Sequence, residues 1–249
     1  MNVSVRFAKA LACAALMSGI LVSTSYAAPT STAAQAEASL RQTFPKLMVG
    51  EVSESPIDGL FEVISGDNIL YYSPQTKHVI FGEIWAHTGK NITTAAKDRI
   101  NAKKIAMYNP HLADAVKVGN GPNVVIEITD PDCPFCRKMN NYWQGRTDVT
   151  RYVFLHPIPS LHPQAEAKVR YILSAKDKVK ALHEVFSGAY DSKPLPAFKE
   201  DVRLSGIHLD LAAKSGINGT PAFFVNGSFV SGANIPLIEQ NLKKGENKQ

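Results

Sequence analysis

The chain has 249 residues, a net charge of +5, 45% apolar residues and 20% charged residues. These proportions are ordinary for one or two globular domains, and they exclude a mostly disordered chain. Three cysteines are too few for a disulfide-dense scaffold, and no basic stripe with interleaved aromatic residues indicates a nucleic-acid partner.

A secretory signal peptide is predicted at the N-terminus. Arg6 and Lys9 precede an apolar run over 10–22, and Ser25 and Ala27 provide the small side chains that cleavage requires. The apolar run is shorter than a comfortable membrane-spanning helix. An uncleaved N-terminal anchor is the alternative. We expect cleavage after Ala27 and export of the mature chain.

Cleavage leaves residues 28–249 and lowers the net charge by two, since two basic residues are removed. It also removes Cys13. We do not expect lipidation of Cys13, because cleavage before it would leave the signal peptide with too short a hydrophobic region. The mature chain keeps Cys133 and Cys136, which then face an oxidising compartment. No later apolar stretch is long enough to span a membrane, so we expect a soluble mature protein.

Residues 28–90 are predicted to form a small domain with one helix and an antiparallel sheet. Its first residues, 28–35, are typical of a flexible leader, and a short helix is expected over 36–44. Short apolar runs separated by turn-forming residues predict strands, at 61–64, 69–72 and 79–81. So small a sheet buries little apolar surface by itself, and this favours pairing with a second copy of the chain.

A linker helix is predicted over 91–108, where turn-forming residues are missing and several apolar side chains fall on one face. Asn109-Pro110 ends this helix, and a Gly-Asn-Gly-Pro turn at 119–122 begins a second domain. We therefore assign 91–121 to the linker and hinge, and 122–249 to the second domain.

The second domain is predicted to mix strands and helices, with a helical insertion over about 160–216. A buried strand over 124–129 precedes a helix that runs to about Trp143. The remaining elements are a strand at 152–155, helical stretches at 163–187, 197–204 and 208–214, a strand-like run at 219–225, and a last helix at 236–243. Asn226-Gly227 predicts a two-residue hairpin turn.

The chemistry is concentrated in Cys133-Pro134-Phe135-Cys136, which follows a strand and begins a helix. The free N–H groups and the dipole of a helix N-terminus stabilise a thiolate, so a cysteine there becomes nucleophilic near neutral pH. Pro134 lacks an N–H and suits a first helical turn. Cys136 lies one turn further on, close enough to form an exchangeable disulfide with Cys133.

Other interpretations of these residues stay open. A zinc site needs two further ligands, and His156 and His162 are the candidates, although their spacing is not typical of zinc ligands. A purely structural disulfide would constrain the unfolded chain little, because the loop it closes is so short. Ser160 beside a histidine is a conceivable nucleophile, but no carboxylate is evident to orient the pair. We expect a connecting loop here, and no metal or cofactor.

The sequence resembles the DsbC family of periplasmic disulfide isomerases, which includes DsbG. The resemblance rests on 128–132 leading into the two cysteines, and on the later segment Gly219-Thr220-Pro221-Ala222. It implies an α+β protein with a small N-terminal helix-plus-antiparallel-sheet dimerisation domain, a linker helix, and a C-terminal thioredoxin fold with a helical insertion. The N-terminal domain favours the isomerase branch over DsbA-like oxidases, which lack it.

The resemblance implies a role for each residue of the two motifs. Cys133 is the attacking thiol and Cys136 is the resolving thiol, and together they form the redox-active disulfide. Thr220-Pro221 contains a cis peptide bond opposite that disulfide, where the backbone of Thr220 pairs with a bound client chain. The Pro134-Phe135 dipeptide between the cysteines tunes the stability of the thiolate.

Partners and location are also implied by the resemblance. They are a homodimer through the N-terminal domain, exported client proteins with disulfides, a membrane thiol reductant of the DsbD type, and the periplasm. The mature chain lacks the second, structural disulfide of some relatives, and its Pro-Phe dipeptide is nearer to the DsbG pattern. A net reductase of disulfides or sulfenic acids and a redox chaperone therefore stay open beside a disulfide isomerase, with a dithiol oxidase as a weaker fourth hypothesis.

Glu127 interrupts the apolar strand between Ile126 and Ile128, six residues before Cys133. A carboxyl group buried among such residues should have a raised pKa, because desolvation disfavours its charged form. It could then accept the proton of Cys136 when that thiol attacks a mixed disulfide. The alternatives are that Glu127 points to solvent, or that a lysine or arginine pairs with it.

Overall fold

The computed structural model describes residues 31–66 and 68–246. Two β-sheets, with a long helix between them in the sequence, organise this part of the chain. The predicted signal peptide, 1–27, lies outside the described residues. Within them, no helix combines the length and the apolar character that a membrane span requires.

The first sheet is small and antiparallel, and one helix packs on it. The elements are α1 (Ala33–Thr43), β1 (Val52–Glu54), β2 (Phe61–Ser65), β3 (Asn68–Ser73) and β4 (His78–Ile80). The strand order is β1-β2-β3-β4. Leu40 of α1 is buried against Val63 of β2 and Leu70 of β3. The predicted helix-plus-antiparallel-sheet unit is confirmed.

Two details of this unit differ from the sequence predictions. The last residues of the expected flexible leader are helical, because Thr32 caps α1: its hydroxyl accepts from the Gln35 N–H, and the Gln35 side chain accepts from the Thr32 N–H. Strand β1 was not predicted, since its only apolar residue is Val52. It forms by antiparallel pairing with β2, in which Val52 lies opposite Val63.

The predicted linker helix is present as α2 (Ile92–Tyr108). The Asn91 side chain caps it by accepting from the Thr94 N–H at 2.9 Å. Near its start, the Thr93 hydroxyl lies 2.6 Å from the hydroxyl of Tyr71 in β3. At its end, the Tyr108 ring is buried against Phe154 of the second sheet. A short 3₁₀ helix, Asn109–Asp114, follows.

The second sheet has five strands with helices on both faces. The strands are β5 (Val116–Val118), β6 (Asn123–Thr129), β7 (Val149–Leu155), β8 (Ala222–Val225) and β9 (Ser228–Ser231), and the helices are α3 (Pro134–Trp143), α4 (Ala165–Ser174), α5 (Lys178–Phe186), α6 (Val202–Lys214) and α7 (Ile235–Glu246). The order is β5-β7-β6-β8-β9, with β6 and β7 parallel and the other pairs antiparallel. Central β6 leads through a short turn, 130–133, into α3.

Successive side chains of the central strands point to opposite faces of the sheet, and a hydrophobic core lies on each face. On one face, Val125 of β6 packs with Met139 and Trp143 of α3, together with α7. On the other face, Ile126 and Ile128 pack with α6 and the end of α2. The helical insertion adds a third cluster, in which α4 and α5 cover Cys136.

The helical insertion is divided differently from the prediction. The stretch 163–187 breaks into α4 and α5, because the Asp177 side chain accepts from the Lys180 N–H and starts a new helix. The predicted stretch 197–204 is helical only from Val202, after the Asp201 cap, and there it joins the stretch 208–214 in one helix, α6. Gly206 lies inside α6 with open space around its Cβ position, and it does not break the helix.

Candidate active site

Cys133 stands at the start of α3, directly after a tight turn that leaves β6. It is the N-cap residue, with extended backbone, and Pro134 is the first residue of the helix. The Cys133 N–H donates to the carbonyl oxygen of Asp130 at 3.2 Å, and the Arg137 N–H donates to the carbonyl oxygen of Cys133 at 3.1 Å. The N–H groups of Phe135 and Cys136, in the first turn of α3, act on the Cys133 sulfur.

The two thiols differ in their surroundings. Cys133 is 6% exposed, whereas Cys136 is fully buried. Cys136 Sγ accepts from the Asp130 N–H at 3.4 Å and lies under the helical insertion, in the cluster that contains Val153 and Leu155. Of the two thiols, Cys133 is therefore the one that keeps some exposure to solvent.

The segment before β8 completes the site from the opposite side. The Thr220–Pro221 peptide bond is cis, as the resemblance implied. Pairing of β8 with β6, in which Ala222 lies opposite Ile128, brings this bond next to the helix start. The Cys133 sulfur lies 3.5 Å from the Thr220 carbonyl oxygen, to which it donates when the thiol is protonated. The two motifs identified in the sequence therefore meet in space.

The pKa values of the two thiols move in opposite directions. The hydrogen bond from the Cys136 thiol, aided by the backbone N–H groups of Cys136 and Phe135, lowers the pKa of Cys133 to about 5, although burial acts against this shift. Burial, reinforced by that same hydrogen bond, raises the pKa of Cys136 far above its ordinary value. Cys133 is consequently a thiolate at neutral pH, and Cys136 keeps its proton.

Asp130 is an organising residue that the sequence analysis missed. Its fully buried carboxylate accepts from the N–H groups of Asp132 and Ile158, both at 2.8 Å, and from Nδ1 of His162 at 2.9 Å. It ties the turn before Cys133 to the 156–163 loop. The only signal in the sequence was an aspartate two residues before another aspartate at a strand end, a common turn pattern.

Glu127 is buried, as predicted, and its partner is Arg151 on β7. The Arg151 guanidinium donates to the carboxylate at 2.8 Å, and both side chains are almost fully enclosed. The guanidinium also lies 5.6 Å from the centre of the Trp143 ring. Burial raises the pKa of the Glu127 carboxyl, while Arg151 acts against this shift. The pairing matches the alternative that the sequence analysis left open.

Phe135 and Leu161 are exposed apolar residues on the segments that flank the site. Phe135 is 63% exposed between the two cysteines, and Leu161 is exposed in the 156–163 loop. In that loop, His156 is mostly buried and His162 is held by Asp130. Among the described residues, no three His, Cys, Asp or Glu side chains lie close enough together to hold a metal ion.

The sequence matches two protein-family models that divide the chain in the same way as the two sheets. Residues 27–94 match the N-terminal domain of disulfide bond isomerase proteins, and residues 111–236 match a thioredoxin-like domain. A probable thiol:disulfide interchange protein DsbC from Bordetella pertussis is 30% identical over 194 residues, which are 77% of this chain and 67% of the relative. The chain belongs to the DsbC family.

A second DsbC protein, from another organism, agrees with this assignment. The thiol:disulfide interchange protein DsbC of Escherichia coli K12 is 26% identical over 225 residues, which cover 88% of this chain and 92% of the relative. A crystal structure of a disulfide interchange protein from Neisseria gonorrhoeae is 31% identical, with a TM-score of 0.47, and covers 54% of this chain and 97% of that chain. The predicted α+β fold and family are confirmed, and the DsbC family is one of thiol-disulfide oxidoreductases.

Proposed function

We propose that this DsbC-family protein is a periplasmic disulfide isomerase that rearranges non-native disulfides in exported proteins. The proposal rests on one observation at the start of α3. Cys133 is ionised there, whereas Cys136, one turn further along the helix, is buried and protonated. The match of 27–94 to the N-terminal domain of disulfide bond isomerases supports an isomerase in preference to a simple dithiol oxidase.

The reaction begins at Cys133. Its thiolate attacks one sulfur of a client disulfide, a bond forms between the two sulfurs, and the other client sulfur leaves as a thiolate. A cysteine with a low pKa is also a good leaving group, so this mixed disulfide is reversible. The Thr220 backbone, beside Cys133, and the exposed Phe135 ring would hold the client chain during the exchange.

Two routes lead away from the mixed disulfide. In isomerisation, another client thiolate attacks the client sulfur, a new client disulfide forms, and Cys133 leaves as a thiolate with no net transfer of electrons. In reduction, Cys136 loses its proton and attacks Cys133, the client sulfur leaves as a thiolate, and that one client disulfide has gained two electrons. The raised pKa of Cys136 slows the second route and gives the client time to rearrange.

A homodimer through residues 28–90 is the assembly that we propose. β4 lies at one edge of the first sheet and pairs only with β3 among the described strands. Close to this edge in sequence, Phe81 is 72% exposed and Trp85 is also largely exposed. Open strand edges with apolar neighbours are suited to pairing with a second chain.

The proposed isomerase must be kept in the dithiol form. Each reductive release leaves a Cys133–Cys136 disulfide, so a thiol reductant must return two electrons to it. We propose a membrane protein of the DsbD type for this role, with the predicted signal peptide delivering the chain to the periplasm. The reductant's own thiolate would attack Cys133, the more exposed sulfur.

Refolding of a scrambled multi-disulfide protein tests the proposal. The reduced protein should restore the client's activity in a redox buffer, and Cys133→Ser should not. Release of client thiols without recovery of activity would instead identify a net reductase, the second hypothesis. Suppression of client aggregation by Cys133→Ser would show a chaperone contribution that does not depend on exchange.

A further inference from the structure

Four charged side chains form a closed cluster beside the reactive cysteine. Asp132, the residue directly before Cys133, accepts from Nζ of Lys168 at 2.5 Å and from Nη2 of Arg137 at 2.9 Å. Asp191 accepts from the same two cations, at 2.7 Å from Lys168 and at 2.6 and 2.7 Å from Arg137. We call Asp132, Arg137, Lys168 and Asp191 the charge cluster.

The charge cluster joins three parts of the catalytic domain. Asp132 belongs to the turn before α3, and Arg137 follows Cys136 inside α3. Lys168 comes from α4, and Asp191 comes from the segment after α5. Arg137 Nε also donates to the carbonyl oxygen of Pro131 at 2.8 Å, so the same guanidinium fixes the backbone of the turn.

Burial and backbone geometry show that this cluster is built into the fold. The Lys168 side chain is only 4% exposed, although lysine is rarely buried without a partner. Gly188 lies where its Cβ would stand 2.9 Å from Asp191 Oδ2, and its φ of +84° belongs to the left-handed region. Glycine at this position lets the chain bring Asp191 against Arg137 and Lys168.

We propose that Lys168 and Arg137 are positioning residues that keep the Asp132 carboxylate charge-compensated beside Cys133, so that the helical insertion controls how readily Cys133 ionises. The inference rests on the proposed role of Cys133 as the nucleophile. An uncompensated carboxylate on the residue next to Cys133 would repel a thiolate and favour the neutral thiol. The two cations remove that repulsion and leave the helix start free to stabilise the thiolate.

Other titratable groups near the turn do not replace the charge cluster. Asp130 and His162 pair with each other across the turn and the 156–163 loop. Cys136 keeps its proton and donates a hydrogen bond to Cys133. Asp130, His162 and Cys136 stay unchanged when a residue of the charge cluster is replaced, so a change in the ionisation of Cys133 then reports on the charge cluster.

The experiment measures the pH midpoint of Cys133 ionisation by thiolate absorbance and by the rate of alkylation, with no client present. Lys168→Met should raise the midpoint by about half a pH unit or more, because Asp132 loses a buried cation. Asp132→Asn should lower it, because the neighbouring anion is gone. The double variant should return towards the parent midpoint. Arg170→Met is the matched control, since Arg170 lies on the same helix but pairs with Glu166 and Glu200.

Charge compensation predicts midpoint shifts of opposite sign in Lys168→Met and Asp132→Asn. A purely structural role predicts shifts of the same sign, because either substitution would loosen the turn. Shifts of the same sign, or no shift in Lys168→Met, overturn the inference. If Lys168→Met does not fold, Asp191→Asn is the substitute variant, because the Asp191 side chain is partly exposed. Loss of this anion should lower the midpoint of Cys133 ionisation, and a rise would contradict the inference. A parent midpoint at the ordinary thiol value would overturn the proposed function itself. A low parent midpoint that the substitutions leave unchanged would overturn this inference alone.

Discussion

The sulfur of Cys133 lies 3.5 Å from the carbonyl oxygen of Thr220, although 87 positions separate the two residues in the sequence. The contact places the reactive thiol between a helix start and a cis peptide bond. It also brings the Thr220 hydroxyl next to the Cys133 sulfur, where its hydrogen bond to the thiolate contributes to the lowered pKa of Cys133.

Thr220→Val should therefore raise the pKa of Cys133. Valine has nearly the same shape as threonine but cannot donate a hydrogen bond to the thiolate. We expect a rise of about half a unit to one unit, measured from the pH dependence of thiolate absorbance. Thr220→Ser keeps the hydroxyl and should stay close to the parent. Equal midpoints in the valine and serine variants would show that the hydroxyl does not act on Cys133.

The stability of the reduced protein should depend on pH through Cys133. Its folded pKa, about 5, is below the ordinary thiol value of 9.0, so the folded state binds the proton more weakly than the unfolded state does. The resulting stabilisation is complete above the unfolded pKa and is lost as the pH falls through the folded pKa. The unfolding free energy should rise by roughly a few kcal/mol between those two values. Cys133→Ala should lack this rise in denaturant titrations.

Glu127→Gln should destabilise the fold. The substitution leaves Arg151 buried without a countercharge, which typically costs about 3 kcal/mol or more. Glu37→Gln is the matched control, since Glu37 pairs with Arg41 in an exposed ion pair on α1 and should change stability by less than about 1 kcal/mol. Equal losses in urea denaturation of the two variants would contradict the importance of the buried pair.

The proposed proton transfer to Glu127 has a separate test in the same variant. If the Glu127 carboxyl accepts the proton of Cys136, Glu127→Gln should slow the release of a mixed disulfide near neutral pH and leave attack by Cys133 almost unchanged. Release can be followed from a preformed mixed disulfide with a chromogenic thiol. A release rate and pH profile like the parent's would remove Glu127 from the mechanism and leave it as the partner of Arg151.

Phe81→Glu should weaken the proposed dimer, because it places a charge on an exposed apolar residue beside the open edge of β4. Sedimentation at micromolar concentration should show dimer for the mature parent and a shift to monomer for the variant. Thiol reductase activity should persist in the monomer, while isomerase activity falls. A parent protein that sediments only as a monomer would contradict the proposed assembly.

The sequence revealed those features that depend on neighbouring residues. Cys133 and Cys136 begin a helix after a strand, and Asn226-Gly227 forms a hairpin turn between β8 and β9. Their signals are local patterns of spacing and turn chemistry. Thr220-Pro221 was placed opposite the cysteines by family resemblance, since no local pattern shows that two segments so far apart will meet.

The features that escaped prediction depend on contacts between distant elements. Arg151 pairs with Glu127 because β6 and β7 lie side by side, and neither residue indicates the other in the sequence. Lys168 has the appearance of an ordinary surface lysine within a helical pattern, yet the fold turns it towards Asp132. Strand β5 has too few residues for a pattern and forms only by pairing with β7.

Competition between the two thiols for a limiting alkylating reagent near pH 6, followed by peptide mapping of the reduced protein, tests the proposed roles of Cys133 and Cys136. The folded pKa of Cys133, about 5, and its position at the helix start predict that Cys133 is labelled first. The burial and raised pKa of Cys136 predict that it is labelled only after unfolding. Preferential labelling of Cys136 in the folded protein would contradict the assignment of nucleophile and resolving thiol, and with it the proposed mechanism.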